Sequence, residues 1–501
     1  MDKVILNQNG LKKTSAETKN SPLVFGYGEK VIQDNVYYSL KAKVLAVGIF
    51  LFFFFENGAL GLIPEQYYMI YRSIRISDLI LYALVIYSVF RYKEYKELIK
   101  SRSLIIIKIY LSYLVFEFVL SALTYKFNVI EYFFRLKLVW TSFLVFPYLL
   151  LLKRDGLGFL IKLFFPAAVI ANILYILSAI TGTAFLPDVR IITQSLPGNL
   201  EVYRVYGGTF LGEFFFLGFI YYWMTRKFKL YQLFFVILFI IPHILAFGRS
   251  AWALFVFTIL IMVLLITWKK KKIKVLFKQA AIFILLTSTL VFCFLKFIPN
   301  ADYYVEALGA RLQQGTNDVK YEEGSFGERT VFDNEILLNV WQKNNWLVGI
   351  GMHPLWVYKQ ESRDERLIYI ALTDVTWPGV LAVYGAIGFA LALFFQIYYI
   401  KLTFKLIKKS KHEGVLVYIL ITMMSKMIFA ALVTYSYILF SIGILGIGSV
   451  MSFMVAVAVY CYEQQKNEKE EKTVTVKPVR QYYLYGKYSY SYSKTYRQRE
   501  L

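Results

Sequence analysis

LGFLIKLFFPAAVIANILYILSAIT, residues Leu157–Thr181, continues for 25 residues with one charged side chain, Lys162. As a helix rising about 1.5 Å per residue it reaches roughly 37 Å, enough to cross a hydrocarbon layer about 30 Å thick. Similar runs recur along the chain. They are too long and continuous for barrel strands, and in lipid every backbone polar group must be paired within its own segment, so helices are the expected form. The pattern predicts about twelve spans, near 43–63, 76–91, 104–122, 138–152, 157–181, 209–224, 230–247, 251–268, 280–298, 377–400, 415–437 and 438–460. The expected fold class is all-α: a polytopic membrane protein with a large, partly helical external loop.

Composition agrees. The 501 residues are 58% hydrophobic and 18% charged, with mean hydropathy +0.52, whereas soluble domains carry about 25% charged residues. A net charge of +23 invites a nucleic-acid reading, but the basic residues sit in short links between apolar runs and not on one folded face, so no nucleic-acid partner is expected. With the N-terminus inside, Arg91, Lys93, Lys96, Lys100 and Arg102 share a cytoplasmic link. Lys153 with Arg154, Arg226 with Lys227 and Lys229, the Lys269–Lys272 run, and the Lys401–Lys411 group fall on the same side, as the positive-inside rule requires. Both termini are then cytoplasmic. No cleavable signal is expected, since about forty polar residues precede the first apolar run.

The organisation expected is a cytoplasmic tail at 1–42, spans one to nine over 43–298 with an external loop at 182–208, a large external segment at 299–376, spans ten to twelve over 377–460, and a tail at 461–501. The external segment carries seven basic and twelve acidic residues, opposite in sign to the rest. Within the tail, Gln464–Lys472 continues the last helix. Tyrosines at 482, 483, 485, 488, 490, 492 and 496 then form a low-complexity run, a solvated tail or a substrate for a tyrosine kinase or a docking point for a chain-length regulator. Cys293 and Cys461 fall in apolar runs and imply packing, not a disulfide framework. The two halves of the span pattern show no internal repeat, which counts against a repeat-built transporter.

Two external stretches offer chemistry. Arg190 and Arg204 lie in 182–208, and Arg329 follows Gly327-Glu328; a guanidinium's planar fork suits a phosphate or lipid-linked pyrophosphate, while pairing with the surplus acids is the plainer alternative. Arg329–Pro354 reads as an amphipathic helix followed by a turn in which Gly349 and Gly351 let the backbone approach something closely. Inside the spans, Glu117, Glu213, His243, Lys296 and Lys426 are costly in hydrocarbon and point to a cavity. Glu117 and Lys426 could form an interhelical pair, and His243 after Pro242 could serve a kinked helix. Three scattered histidines and the lack of an Asp-x-Asp motif predict a metal-independent reaction with no cofactor.

Several of these pieces, in order, resemble a family. They are Arg204-Val-Tyr-Gly207-Gly208 before a span, Phe247-Gly248-Arg249-Ser250-Ala251-Trp252 opening a later one, Trp346-Leu-Val-Gly349-Ile-Gly351 in the large segment, Thr373-Asp374-Val-Thr-Trp377, and Tyr384-Gly385-Ala-Ile-Gly388. Over roughly residues 200–400 the chain resembles the O-antigen ligase and polymerase superfamily. That resemblance implies a GT-C-like glycosyltransferase acting outside the cytoplasmic membrane on an undecaprenyl-pyrophosphate-linked oligosaccharide. It implies that Arg204 and Arg329 hold the pyrophosphate, with Arg190 and Arg249 as further binding residues. Ligases of the family place a histidine where this chain has Thr373-Asp374, so the resemblance favours a capsule, exopolysaccharide or O-antigen polymerase. The chemistry needs a carboxylate to accept the acceptor's proton: Asp374 first, Glu328 second, Glu213 third. Asp374 could equally cap the helix that begins near Trp377. The competing expectations are ligase-type transfer to a different acceptor, a flippase or other secondary transporter, and a surface scaffold or sensor.

Overall fold

The computed structural model describes residues 38–56, 67, 69–71, 74–126, 128–181, 183, 185, 190–196, 200–206, 211–225, 229–245, 249–270, 301–321, 334, 338, 346–349, 351, 377–410, 414–432 and 447–475. The expected span at 280–298 with Cys293 and Lys296, most of the N-terminal tail and the tyrosine run at 482–496 lie outside them.

The described residues are overwhelmingly helical: α1 Leu40–Glu56, α2 Ile76–Phe90, α3 Lys96–Lys100, α4 Ile105–Tyr125, α5 Val129–Arg135, α6 Lys137–Trp140, α7 Val145–Lys153 and α8 Leu157–Thr181 come first. Then follow α9 Gly212–Thr225, α10 Tyr231–Leu245, α11 Arg249–Lys270, α12 Ala301–Tyr321, α13 Trp377–Lys409, α14 Val415–Leu432 and α15 Ile447–Thr475. Among the described residues, five helices are long and apolar enough to cross a membrane: Arg102–Tyr125, which includes α4, and stretches of α8, α11, α13 and α14; shorter apolar helices cover Ile76–Phe90, Thr141–Lys153 and Tyr231–Leu245. Large apolar side chains face outward along these helices, including Val256, Leu260 and Leu264 on α11 and Phe394 and Ile397 on α13. In water such a surface would drive association; against lipid it is the required exterior.

The fourth expected span, 138–152, is not one helix. It is α6, a tight 3-10 turn at Thr141–Leu144, and α7. Pro147 brings no N–H to the first turn of α7, and the turn's carbonyls find a donor elsewhere: Ser452 Oγ of α15 lies 3.2 Å from the Thr141 carbonyl and 3.1 Å from that of Ser142. The division at Gly248–Ser250 holds, with α10 ending at Leu245 and α11 starting at Arg249.

The core lies where α7, α14 and α15 meet. Tyr148 and Leu149–Leu151 of α7, Tyr418–Ile421 of α14 and Val455–Val459 of α15 are each at most 1% exposed. A second, aromatic, core joins α8, α9 and α10: Phe165 packs edge-on against Phe215 and Phe235, and Phe219 stacks on Phe235 at 5.7 Å. In the link between α7 and α8, Arg154 ties three elements together. Its Nε and Nη2 donate to Glu94 Oε2 at 2.9 and 2.7 Å, and its Nη1 donates to the Lys41 carbonyl at 3.1 Å and the Tyr87 hydroxyl at 3.0 Å.

The loop at 182–208, expected to be external, holds an antiparallel hairpin that the sequence pattern did not reveal. Its strands are β3 Arg190–Leu196 and β4 Leu200–Tyr206, after a smaller hairpin of β1 Met69–Tyr71 and β2 Ile74–Arg75. β4 packs on α8, and β3 packs on α12, the described helix of the large external segment. The 182–208 and 299–376 stretches therefore meet where β3 packs on α12.

Candidate functional site

β4 leads almost directly into α9, and the first turn of α9 carries Glu213. A carboxylate is favoured there by the helix's unpaired N–H groups. Its partner is Lys426 of α14, whose Nζ stands 2.9 Å from Glu213 Oε1 with both side chains largely covered. The expected pairing of Glu117 with Lys426 is thereby corrected. The amine reaches the start of α9 instead, because α14 packs against α9 and α11 on one side and α13 separates it from α4 on the other.

Two more polar groups converge on the same turn. Gly212 leaves room for them: a Cβ there would stand 2.8 Å from Asn172 Oδ1 of α8 and 3.3 Å from His243 Nε2 of α10. Asn172 Nδ2 donates to the Ala168 carbonyl one turn back, which turns its oxygen toward Gly212. His243 is buried, and its Nε2 has no hydrogen-bond partner among the described residues. Trp252 Nε1 of α11 donates to the His243 carbonyl at 2.8 Å, so the expectation that this residue serves the end of a kinked helix is met at its backbone. The Tyr418 hydroxyl of α14 donates to the Phe214 carbonyl and locks the start of α9 in place. Four helices thus contribute Asn172, Glu213, His243 and Lys426 to one polar cluster at the start of α9. Asn172 was missed in the sequence; its signal was a lone amide midway along an apolar run.

A second polar focus sits where α13 breaks. Gly385 has φ 62° and ψ −172°, which interrupts the helix and strands its hydrogen-bonding groups. The Trp346–Gly351 segment supplies the partners: Ala386 N donates to the Trp346 carbonyl at 2.8 Å, Ile387 N to Leu347 at 3.2 Å, and Gly351 N to Val383 at 3.0 Å. Gly349 and Gly351 have φ of 72° and 73°, and a Cβ on Gly349 would collide with the Val383 and Ala382 carbonyls and the Gly385 amide. The close approach expected of these two glycines is an approach to backbone at Gly349 and to the Ser121 side chain at Gly351, where a Cβ would stand 2.6 Å from Ser121 Oγ. Beside the break, Glu117 of α4 is 0% exposed, and neither carboxyl oxygen has a hydrogen-bond partner among the described residues.

The other expected site residues fall as follows. Arg204 pairs in register with Ile192, and Arg190 with Tyr206, so both arginines belong to the same hairpin. Arg249 is the first residue of α11. Asp374, Glu328 and Arg329 lie outside the described residues, as does most of the expected amphipathic helix after Arg329. Among the described residues, no three His, Cys, Asp or Glu side chains are grouped as a metal site would need. No protein-family model matches the chain, and no curated protein matches it either.

Proposed function

We propose that this chain is a membrane glycosyltransferase, a polymerase of capsule, exopolysaccharide or O-antigen type. It would use an undecaprenyl-pyrophosphate-linked donor, with both termini cytoplasmic and about twelve spans in a GT-C-like arrangement. The observation that carries the reading is the packing of β3 on α12, which joins the arginine-bearing hairpin to the 299–376 segment. The Glu213–Lys426 pair supports it, since Glu213 stands at the start of α9, the helix that follows β4.

In the reaction, an acceptor hydroxyl attacks the anomeric carbon of the donor. The new glycosidic bond forms as the bond to the pyrophosphate oxygen breaks, and the lipid pyrophosphate leaves with both electrons. Arg204 and Arg329, with Arg190 and Arg249 beside them, would hold that developing charge in fixed geometry. The hydroxyl proton goes to a carboxylate. Glu213 is already engaged by Lys426 and can take it only if that pair opens, so Asp374 keeps the first place and Glu328 the second.

The test is turnover by the purified chain in lipid with a polyprenyl-pyrophosphate-linked repeat unit. Arg329→Lys, Arg204→Lys and Asp374→Asn are each expected to lower the rate by about 100-fold or more at unchanged protein level. Full activity in all three would remove the reading. Loss of the gene is expected to leave single lipid-linked repeats; long unattached chains would indicate a ligase.

One observation favours a second reading. Helices broken at membrane depth are how secondary transporters build substrate and ion sites, and α13 is broken at Gly385 next to Glu117. Movement of lipid-linked sugar across vesicles without polymer formation would support the transporter.

A further inference from the structure

We infer that the face where α11 and α13 end binds one anionic phospholipid, with its phosphate against Lys405 and Lys408 and one acyl chain along α11. The inference does not rest on the transferase reading.

α14 packs against both α11 and α13. The two flanking helices meet near their ends, where Trp268 of α11 stacks on Phe404 of α13 with ring centres 5.7 Å apart. Lys408 Nζ lies 5.9 Å from the centre of the same Trp268 ring. Two helices thus hold a lysine amine over an aromatic plane, which fixes where an otherwise wandering cation stands.

The exposed side chains on these helices are ordered as a phospholipid is, chain and then charge. On α11, Val256, Leu260, Leu264 and Trp268 are exposed at every fourth position and form one stripe. At about 1.5 Å per residue that stripe is about 18 Å long, close to half of a hydrocarbon layer about 30 Å thick, the reach of one leaflet's acyl chain. On α13, Phe394 and Ile397 are exposed, and Lys401, Lys405 and Lys408 follow on the same helical face.

Charge selects the headgroup. α11, α13 and α14 contain no aspartate or glutamate. Among the described residues, none of Lys401, Lys405 and Lys408 pairs with a carboxylate. Elsewhere the cations at helix ends are neutralised: Arg91 and Arg154 pair with Glu94, and Lys466 with Glu463. Lys269, next to Trp268, lines a small cavity with Thr225, Ile407 and Val417 and brings a further cation to the same helix ends. Lysines that only snorkel accept any headgroup. Amines without acidic partners favour one with net negative charge, by about fivefold for each lysine.

The experiment returns the purified full chain to discs of phosphatidylcholine containing a rising share of phosphatidylglycerol. It reads the melting temperature and the lipid that stays on the chain in native mass spectrometry. Wild type is expected to gain several degrees and to keep one phosphatidylglycerol. Changing Lys405→Gln and Lys408→Gln together is expected to weaken that retention about 25-fold, and Trp268→Ala to weaken it less. All three side chains are exposed, so these variants are expected to fold. Lys96→Gln, at an exposed lysine on α3, is expected to change nothing. Equal retention of the two lipids overturns the inference, as does a preference that the double variant keeps or that Lys96→Gln removes. An equal gain from inorganic phosphate in pure phosphatidylcholine would show that the face takes a free anion, which also overturns it.

Discussion

Lys426 reaches 2.9 Å from Glu213 across two helices that are far apart in sequence, and in doing so joins α14 to the first turn of α9. The pair is mostly but not wholly covered, so it is less strongly coupled than a fully buried one. Removing either partner alone, as in Lys426→Met or Glu213→Gln, should cost about 2 kcal/mol, and the double change less than the sum. Unfolding of the four variants of that cycle measures the coupling; additive losses would mean the two groups do not interact.

Gly212 is held small by what faces it. Gly212→Ala would press a methyl group against Asn172 Oδ1 and His243 Nε2. The expected outcome is a destabilisation of about 1–3 kcal/mol and a loss of turnover larger than that of a comparable glycine change at Gly414, where a Cβ meets open space. Equal effects at the two positions would show that the start of α9 is not closely packed in solution.

Gly385 and Gly349 press backbone to backbone. Gly385→Ala and Gly349→Ala combine a left-handed φ with a collision against main-chain atoms that cannot swing away. Each should cost about 2 kcal/mol or more and reduce the folded yield. Hydrogen exchange of the Ala386 and Gly351 amides should rise in both variants, because their acceptors lie across the same contact.

Arg154 is expected to matter through its geometry. Arg154→Lys keeps the charge but cannot reach Glu94, Tyr87 and the Lys41 carbonyl together, so it should lose nearly as much stability as Arg154→Ala, about 1–3 kcal/mol. A near-normal Arg154→Lys melting temperature would show that the charge alone suffices.

Asp155, in the same link, has φ 54° and a carboxyl that burial holds above its ordinary value while Lys153 pulls it down. A raised folded value means that the folded chain holds the proton more tightly than the unfolded chain, so stability is lost as pH rises through it. Asp155→Asn, which tolerates the same backbone, should therefore be slightly more stable than wild type at neutral pH and no different in acid. Melting curves at the two pH values check the sign.

Helix positions were largely legible because apolar run length is a one-dimensional property. Leu157–Thr181 coincides with α8, and α9, α10 and α11 begin and end within a few residues of the expected spans. The fourth span failed because its broken turn depends on Ser452, about 310 residues away, and no local pattern records a distant donor. The β3–β4 hairpin was missed for a related reason: its two strands pair with each other and pack on α8 and α12, and no local pattern records those distant partners.

For the site, the sequence singled out the ionisable residues that interrupt apolar runs, because the cost of burying a charge follows from residue type and surroundings. It could not say which of them meet. Lys426 had two carboxylates within plausible reach, and only the packing of α14 against α9 decided for Glu213 and left Glu117 beside Gly351. Partnership in a bundle is set by the order of helices around its axis, and that order is fixed by side-chain contacts between segments hundreds of residues apart.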